Sequence, residues 1–296
     1  MKSYILAGID IGSNAIRLLI NNIEKEGETA DFKKAAFLRV PIRLGEDVFT
    51  AGEISEDKEL LMIEAMRGFS HIMKAYGVSD YRACATSAMR DARNGKSITA
   101  SILKETGIDI QIITGEQEAE IIYQAGGLDK VLDKNRNFLY VDVGGGSTEI
   151  VVYSGQQKIT SHSFQMGTVR MLVNAVKEEE TDRFKVWLKD IYKKYAPLSI
   201  IASGGNINKV HKMLGKREGE PSSYNELNTL FKQLNELSYE ERMQKFKLNT
   251  YRADVIIPAL KIFLAIGKIC KVDEIYAPKV GLVDGIIHHL FEEKNK

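Results

Sequence analysis

Leu6-Ala7-Gly8-Ile9-Asp10-Ile11-Gly12-Ser13-Asn14 and Leu139-Tyr140-Val141-Asp142-Val143-Gly144-Gly145-Gly146-Ser147 are the two stretches on which the fold turns. In each, an apolar strand ends in Asp-x-Gly, and the chain turns back into a second strand. The first copy reads as strands over 4–10 and 15–23 with a third from Phe32 to Ile42, and the second as strands over 138–143, 147–153 and 158–165. An echo of this kind marks a duplicated unit. The sequence therefore predicts an α/β protein of two like domains, 1–125 and 126–296, with a cleft between the copies. No Pro- or Ser-rich linker lies near residue 125, so a tight hinge is expected. The C-terminal helix, over its residues of about 285–296, is expected to pack back onto the first domain.

Working outward, a helix begins after Ser55 as N-cap, carries the core stripe Met62, Met66, Phe69, Met73 and Tyr76, and stops at Gly77. Strands are expected over 80–86 and 108–114, and a helix opens at Gly115-Glu116-Gln117-Glu118. Helices over 168–177 and 181–195 precede a strand over 198–203, after which Gly204-Gly205 leads into another helix. Residues 216–226 read as an exposed polar loop, followed by a long helix over 253–270, a strand over 273–277 and a helix over 281–293. The 296 residues are 44% hydrophobic and 27% charged, the profile of a globular chain. A net charge of +1 supplies no global field toward nucleic acid or membrane, so neither is expected as a partner. Cys84 and Cys270 stand far apart without metal-ligand spacing and read as buried reduced thiols. Asp10 interrupts the first apolar run too early for a signal peptide. The expectation is a cytoplasmic protein, with room for a homodimer.

The two Gly-rich turns bear the first candidate chemistry. Successive backbone N–H groups, freed of Cβ atoms at Gly12, Gly144, Gly145 and Gly146, suit an anion, and Ser13, Asn14, Ser147 and Thr148 add donors. One such turn would be an ordinary hairpin; two, each led by an Asp, favour phosphate. Asp10 and Asp142 end apolar strands, where a carboxylate is costly unless paired or bound to a cation. Glu149 lies on the return strand opposite Asp142. Oxygen ligands without His or Cys favour Mg²⁺. Glu116, Glu118 and Glu120 open one helix, where they also complement its dipole; Glu116 and Glu120 share a face that Glu118 does not, and periodicity leaves open which of them enters the cleft. Thr86-Ser87-Ala88-Met89-Arg90 places hydroxyls and a guanidinium at a helix start, another phosphate-binding arrangement, with Arg17 and Arg170 as weaker candidates. Gly204 and Gly205 form a third Gly turn, followed by Lys209, His211, Lys212, Lys216 and Arg217, a track for a polyanion or simply a solvated basic face.

Asp10-Ile11-Gly12-Ser13-Asn14 with Arg17, Ala85 to Ala92, Gly115-Glu116-Gln117-Glu118-Ala119, Asp142 to Glu149, Met166-Gly167-Thr168-Val169-Arg170 and Arg252-Ala253-Asp254-Val255-Ile256, in that order, resemble the exopolyphosphatase/guanosine pentaphosphate phosphatase (Ppx/GppA) family. The resemblance spans essentially the whole chain and is to the short form. It implies two ribonuclease H-like domains of the actin-like ATPase superfamily. It also implies release of the terminal phosphate of polyphosphate or guanosine pentaphosphate. By that likeness Glu118 is the base that activates water, Arg90 and the Gly turns contact phosphate, and Asp142 and Glu149, with Asp10, stand at Mg²⁺. Two positions depart from the family pattern: Asn206 in place of Thr, and Val283 in place of Arg within Gly281-Leu282-Val283-Asp284-Gly285. An ATP-dependent small-molecule kinase on the same scaffold, or a catalytically weak (p)ppGpp-binding sensor, are the alternatives.

Overall fold

The computed structural model describes residues 2–123, 133 and 135–295, and the chain divides into two compact units, Met1–Gly126 with Gly281–Lys296, and Gly127–Val280. The boundary expected near residue 125 lies outside the described residues.

In the first unit β1 (Lys2–Ile11), β2 (Ile16–Glu26) and β3 (Thr29–Val40) form an antiparallel meander. Helices α1 (Leu44–Ala51) and α2 (Glu56–Ala75) lead to β4 (Asp80–Ala85), which lies parallel to β1. Then α3 (Ser87–Asp91) and α4 (Gly95–Thr106) lead to β5 (Ile110–Ile112), parallel to β4, and α5 (Gly115–Tyr123) follows. The sheet order is β3-β2-β1-β4-β5. Both faces of β1 are covered, which explains its apolar run. Ala7, Ile9 and Ile11 face a core with Met62, Met66, Phe69 and Met73 of α2, as the helical stripe predicts, but Tyr76, expected in the same stripe, caps the end of α2 and is exposed. Leu6, Leu19 and Ile23 face a smaller cluster on the other side, closed by the C-terminal helix through Val283, Ile287, Leu290 and Phe291.

The second unit repeats the plan. β6 (Asn137–Val143), β7 (Thr148–Ser154) and β8 (Gln157–Phe164) form a meander; α6 (Thr168–Leu172) and α7 (Glu178–Tyr195) lead to β9 (Leu198–Ser203), parallel to β6. Next come α8 (Gly205–Met213), β10 (Ser222–Ser223), α9 (Tyr224–Asn235), α10 (Tyr239–Phe246), α11 (Thr250–Ala253), α12 (Ile256–Ile269) and β11 (Glu274–Tyr276), the last parallel to β9. The sheet order β10-β11-β9-β6-β7-β8 is the first order with one strand added at the edge. Helix α13 (Leu282–Glu293) belongs to the first unit and packs on β1, β2, β4 and α5.

Three expected elements differ. The helix expected over 253–270 is broken after Ala253, because Pro258 cannot donate to the Asp254 carbonyl and its ring crowds that oxygen; in the first turn of α12 it is tolerated. The loop expected over 216–226 contains β10 and the start of α9, where Ser223 and Glu226 make a capping box. The helix expected over 168–177 stops at Leu172. No helix among the described residues is long and apolar enough to cross a membrane.

Candidate active site

The sequence places its acids where the parallel strands of each sheet end, the edge at which open α/β sheets collect ligands. In the first unit Asp10 is buried near the end of β1, and its cross-strand partner Arg17 donates to Asp10 Oδ2. Burial pushes the Asp10 carboxyl up and the Arg17 guanidinium pulls it back. Asp10 and Arg17 are thus brought together as an ion pair. The Gly turn is tied down from behind: the Gly12 N–H donates to the Ala15 carbonyl (3.1 Å), Gly45 N–H to Ser13 (2.8 Å) and Arg43 N–H to Asn14 (3.2 Å). With those carbonyls and the Gly12 N–H occupied, the turn's remaining amides are what it offers to an anion. Ser13 Oγ and Ser87 Oγ, both buried, share a hydrogen bond of 2.8 Å, so the turn and the start of α3 form one assembly.

Arg90 of α3 donates through Nη1 to the Ile113 carbonyl at 2.8 Å. Its guanidinium carries further N–H groups that can reach a ligand. The next residue, Thr114, caps α5: Gln117 N–H donates to Thr114 Oγ1 (3.1 Å) and Thr114 N–H to Gln117 Oε1 (2.9 Å), a reciprocal capping box. The cap fixes how α5 is rotated, and rotation selects among its acids. Glu118 is buried, Glu116 is exposed and Glu120 is half-buried. Glu118 is the acid that the helix turns inward.

In the second unit Asp142 and Glu149 are direct partners across β6 and β7, and their carboxylate oxygens approach within 4.8 Å. The row continues on both sides: Ser203 of β9 is the partner of Asp142, and Ser163 of β8 is that of Glu149, to which it donates at 2.9 Å. Two carboxylates facing each other on a buried strand pair repel, and a cation between them removes the repulsion. The donor set is all oxygen, which fits Mg²⁺.

Behind this row the Gly144–Gly146 turn is held by the Met166–Arg170 segment. Thr168 N–H donates to the Gly144 carbonyl, Val169 and Arg170 N–H groups donate to Gly145, and Arg170 Nε donates to Gly146 at 2.8 Å. Thr148 Oγ1 donates to the Met166 carbonyl, and Ser147 is buried. Arg170, a candidate phosphate ligand by sequence, is 8% exposed and braces the loop instead. Gly167 is required by the same packing: a Cβ there would lie 2.4 Å from Gly145 C and Gly146 N. Gly204 has φ of 110°, a conformation closed to other residues, and a Cβ on it would meet Asp142 Oδ1 at 3.3 Å. Gly205 lies against Arg252, so the motif at 252–256 reaches the third Gly turn.

The basic track does not form one face. His211 is buried, and burial pushes its imidazole down to about 4. Lys216 pairs with Glu226 at 2.9 Å and with Glu220 at 3.4 Å. Lys209 is pushed down by burial and then by repulsion from Lys212, Arg252 and Lys247, so the cations that gather here include Lys247, which sequence order did not suggest. Sequence reasoning also missed Ser163 and Ser203 as neighbours of the carboxylates; only strand register finds them. Val283, in place of the family's Arg, fills the apolar cluster beneath α13.

Residues 23–294 match the Ppx/GppA phosphatase family. The chain is 26% identical over 181 residues to exopolyphosphatase 1 of Mycobacterium tuberculosis (61% of this chain, 52% of that one). It is 25% identical over 312 residues to a guanosine-5′-triphosphate,3′-diphosphate pyrophosphatase of Vibrio parahaemolyticus (99% of this chain, 60% of that one). It thus spans only 52% to 60% of the length of these two relatives. The crystal structure of the Aquifex aeolicus member of the family superposes with a TM-score of 0.79 at 27% identity, covering 100% of both chains. The two α/β units are the pair of actin-like domains that the resemblance implied. The chain belongs to the Ppx/GppA phosphatase family.

Proposed function

We propose that the protein is a Mg²⁺-dependent phosphohydrolase that releases the terminal phosphate of inorganic polyphosphate or of guanosine pentaphosphate. The observation that carries this reading is the buried pair Asp142 and Glu149, set beside the Gly144–Thr148 turn and the Gly204–Gly205 turn. Carboxylates forced together next to anion-binding backbone suit a cation shared with phosphate oxygens. The names of the two relatives, an exopolyphosphatase and a guanosine pentaphosphate pyrophosphatase, support the substrate class.

In this proposal Ser13, Asn14, Arg90 and Gly145 to Thr148 bind the oxygens of the terminal phosphate, while Gly12 and Gly144, whose N–H groups donate to the Ala15 and Ser147 carbonyls, shape the two turns. Asp142 and Glu149 hold Mg²⁺, which when bound neutralises phosphoanhydride charge. Asp10 orients Arg17 rather than binding the ion directly. Glu118 accepts a proton from the attacking water, whose oxygen joins phosphorus as the bridging P–O bond breaks. The shortened chain leaves with the electron pair. Phosphoryl transfer of this kind depends on placement and electrostatics more than on covalent chemistry.

The test is phosphate release from long polyphosphate, short polyphosphate and guanosine pentaphosphate, with and without Mg²⁺. Release without any acceptor, abolished by chelation, is the expected result. Transfer from ATP to an acceptor hydroxyl, with no release from these substrates, would establish the kinase instead. Tight guanosine pentaphosphate binding without turnover would establish the sensor.

A further inference from the structure

Helix α13 is fitted against two elements that carry the candidate site. At Gly8, two residues before Asp10, a Cβ would lie 2.8 Å from the Val283 carbonyl oxygen. At Gly285 the approach is closer: a Cβ would lie 2.1 Å from the Ile121 carbonyl oxygen, 2.7 Å from its carbonyl carbon and 3.0 Å from its Cγ2. Ile121 is on α5, three residues beyond Glu118 and so nearly one turn along. A hydrogen at 285 is what lets the two helices meet backbone to backbone. The start of α13 is itself fixed, since Gly281 N–H donates to Asp284 Oδ2 at 3.0 Å and Asp284 Oδ1 pairs with Lys34 of β3 at 2.8 Å.

Helix α5 has nine residues, too few to hold its direction unaided. Its first turn is fastened by the Thr114–Gln117 capping box, and its last turn rests on α13. We propose that Gly285 is a positioning residue for Glu118: the close contact with Ile121 sets how deep and at what rotation α5 presents its carboxylate. The inference rests on the reading of Glu118 as the base.

Replacing Gly285 with Ala would force the backbones apart by about one ångström, and a displacement of that order costs roughly 10²-fold in rate when it misplaces a reacting group. The experiment is a double-mutant cycle on the whole protein, reading kcat and KM for polyphosphate hydrolysis. Gly285→Ala is expected to lower kcat about 10²-fold with KM nearly unchanged. In a Glu118→Gln background the same substitution is expected to leave the residual kcat where it was, because the group it displaces no longer acts. A general loosening of the fold would lower kcat in both backgrounds and would overturn the proposal, as would a folded Gly285→Ala protein with wild-type kcat. Ile121→Ala trims the Cγ2 that lies against Gly285 without introducing a clash; it is expected to lower kcat several-fold, again only when Glu118 is present, and it carries the same cycle if Gly285→Ala does not fold. Full activity in Glu118→Gln alone is a separate result that removes the base assignment itself.

Discussion

Asp142 and Glu149 set two demands against each other. In the absence of a cation their carboxylates repel across β6 and β7, although Ser163 donates to Glu149. Glu149→Gln removes the repulsion and keeps an acceptor for Ser163. The variant is expected to melt about 1–3 °C above wild type in chelator, and to lose most of the rise in Tm that Mg²⁺ gives wild type. Equal Mg²⁺ shifts in the two proteins would show that the pair does not hold the ion. Arg17→Met tests the first unit in the same spirit. Asp10 is buried and Arg17 is its partner, so the substitution leaves a carboxylate without its cation and is expected to cost about 3 kcal/mol near neutral pH. Because burial already raises the Asp10 carboxyl, that loss should shrink as the pH falls and Asp10 takes up a proton. A loss that is constant with pH would mean the cost is packing alone. At this scale the sequence was most informative where charge met apolar context. Asp10, Asp142 and Glu149 stood out as acids in strands; Ser163 and Ser203 did not as their neighbours, and the bracing contact of Arg170 did not, because these depend on strand register and on which carbonyl lies behind a loop. Glu118 was one of three acids by spacing; the resemblance pointed to it, and its burial sets it apart from Glu116 and Glu120.

Helices and turns show a similar division. The Gly144–Gly146 turn stood out by its glycines, but its contact with Met166–Arg170 did not, since nothing in that segment's composition says that it lies against a turn about twenty residues earlier. Gly167→Ala tests that contact. A Cβ at 2.4 Å from the Gly145–Gly146 peptide must push the turn out of line, while Asp142 and Glu149, anchored in the sheet, stay in place. The expected outcome is a KM for polyphosphate raised at least 10-fold and a Tm shift from Mg²⁺ close to that of wild type, with about 2 kcal/mol lost in stability. An unchanged KM would place the substrate elsewhere. The helices over 224–246 were missed, although Ser223-x-x-Glu226 and Ser238-x-x-Glu241 are written in the sequence and both form capping boxes. They sit in a polar, low-contrast stretch where capping is the clearer signal and periodicity the weaker one. The break at Asp254 was equally available from Pro258, which forbids the hydrogen bond that a continuous helix needs.

Across the whole molecule the duplication was the most legible feature, because two Asp-x-Gly turns at the ends of apolar strands specify two meanders, and in each unit a later strand pairs parallel to the first strand of the meander. The return of α13 to the first unit was read from the sequence as packing, whereas its near contact at Gly285 is a matter of fractions of an ångström that no periodicity encodes. Acid stability is also a property of the entire chain, and here part of its sign follows from a buried histidine in the second unit and a half-buried one in the first. His211 is 6% exposed and pushed down from 6.5 to about 4 by burial, and His288 is pushed down for the same reason. The unfolded chain therefore binds a proton at these positions at a pH where the folded chain does not. For His211 the contribution is fully present above pH 6.5 and is lost as the pH falls toward about 4, at most about 3 kcal/mol, and His288 acts in the same direction. Asp10 acts in the opposite direction, since its raised carboxyl lets the folded chain take up a proton first, and it offsets part of the loss. Urea midpoints measured from pH 7.5 to 4.5 should fall across that range in wild type and fall less steeply in His211→Gln, which keeps a polar group but cannot be charged. The difference between the two curves should open below pH 6.5, where unfolded His211 begins to titrate. A His211→Gln curve parallel to wild type would show that the imidazole finds a proton-accepting partner inside the fold, and that the acid limit of the protein is set by its carboxylates instead.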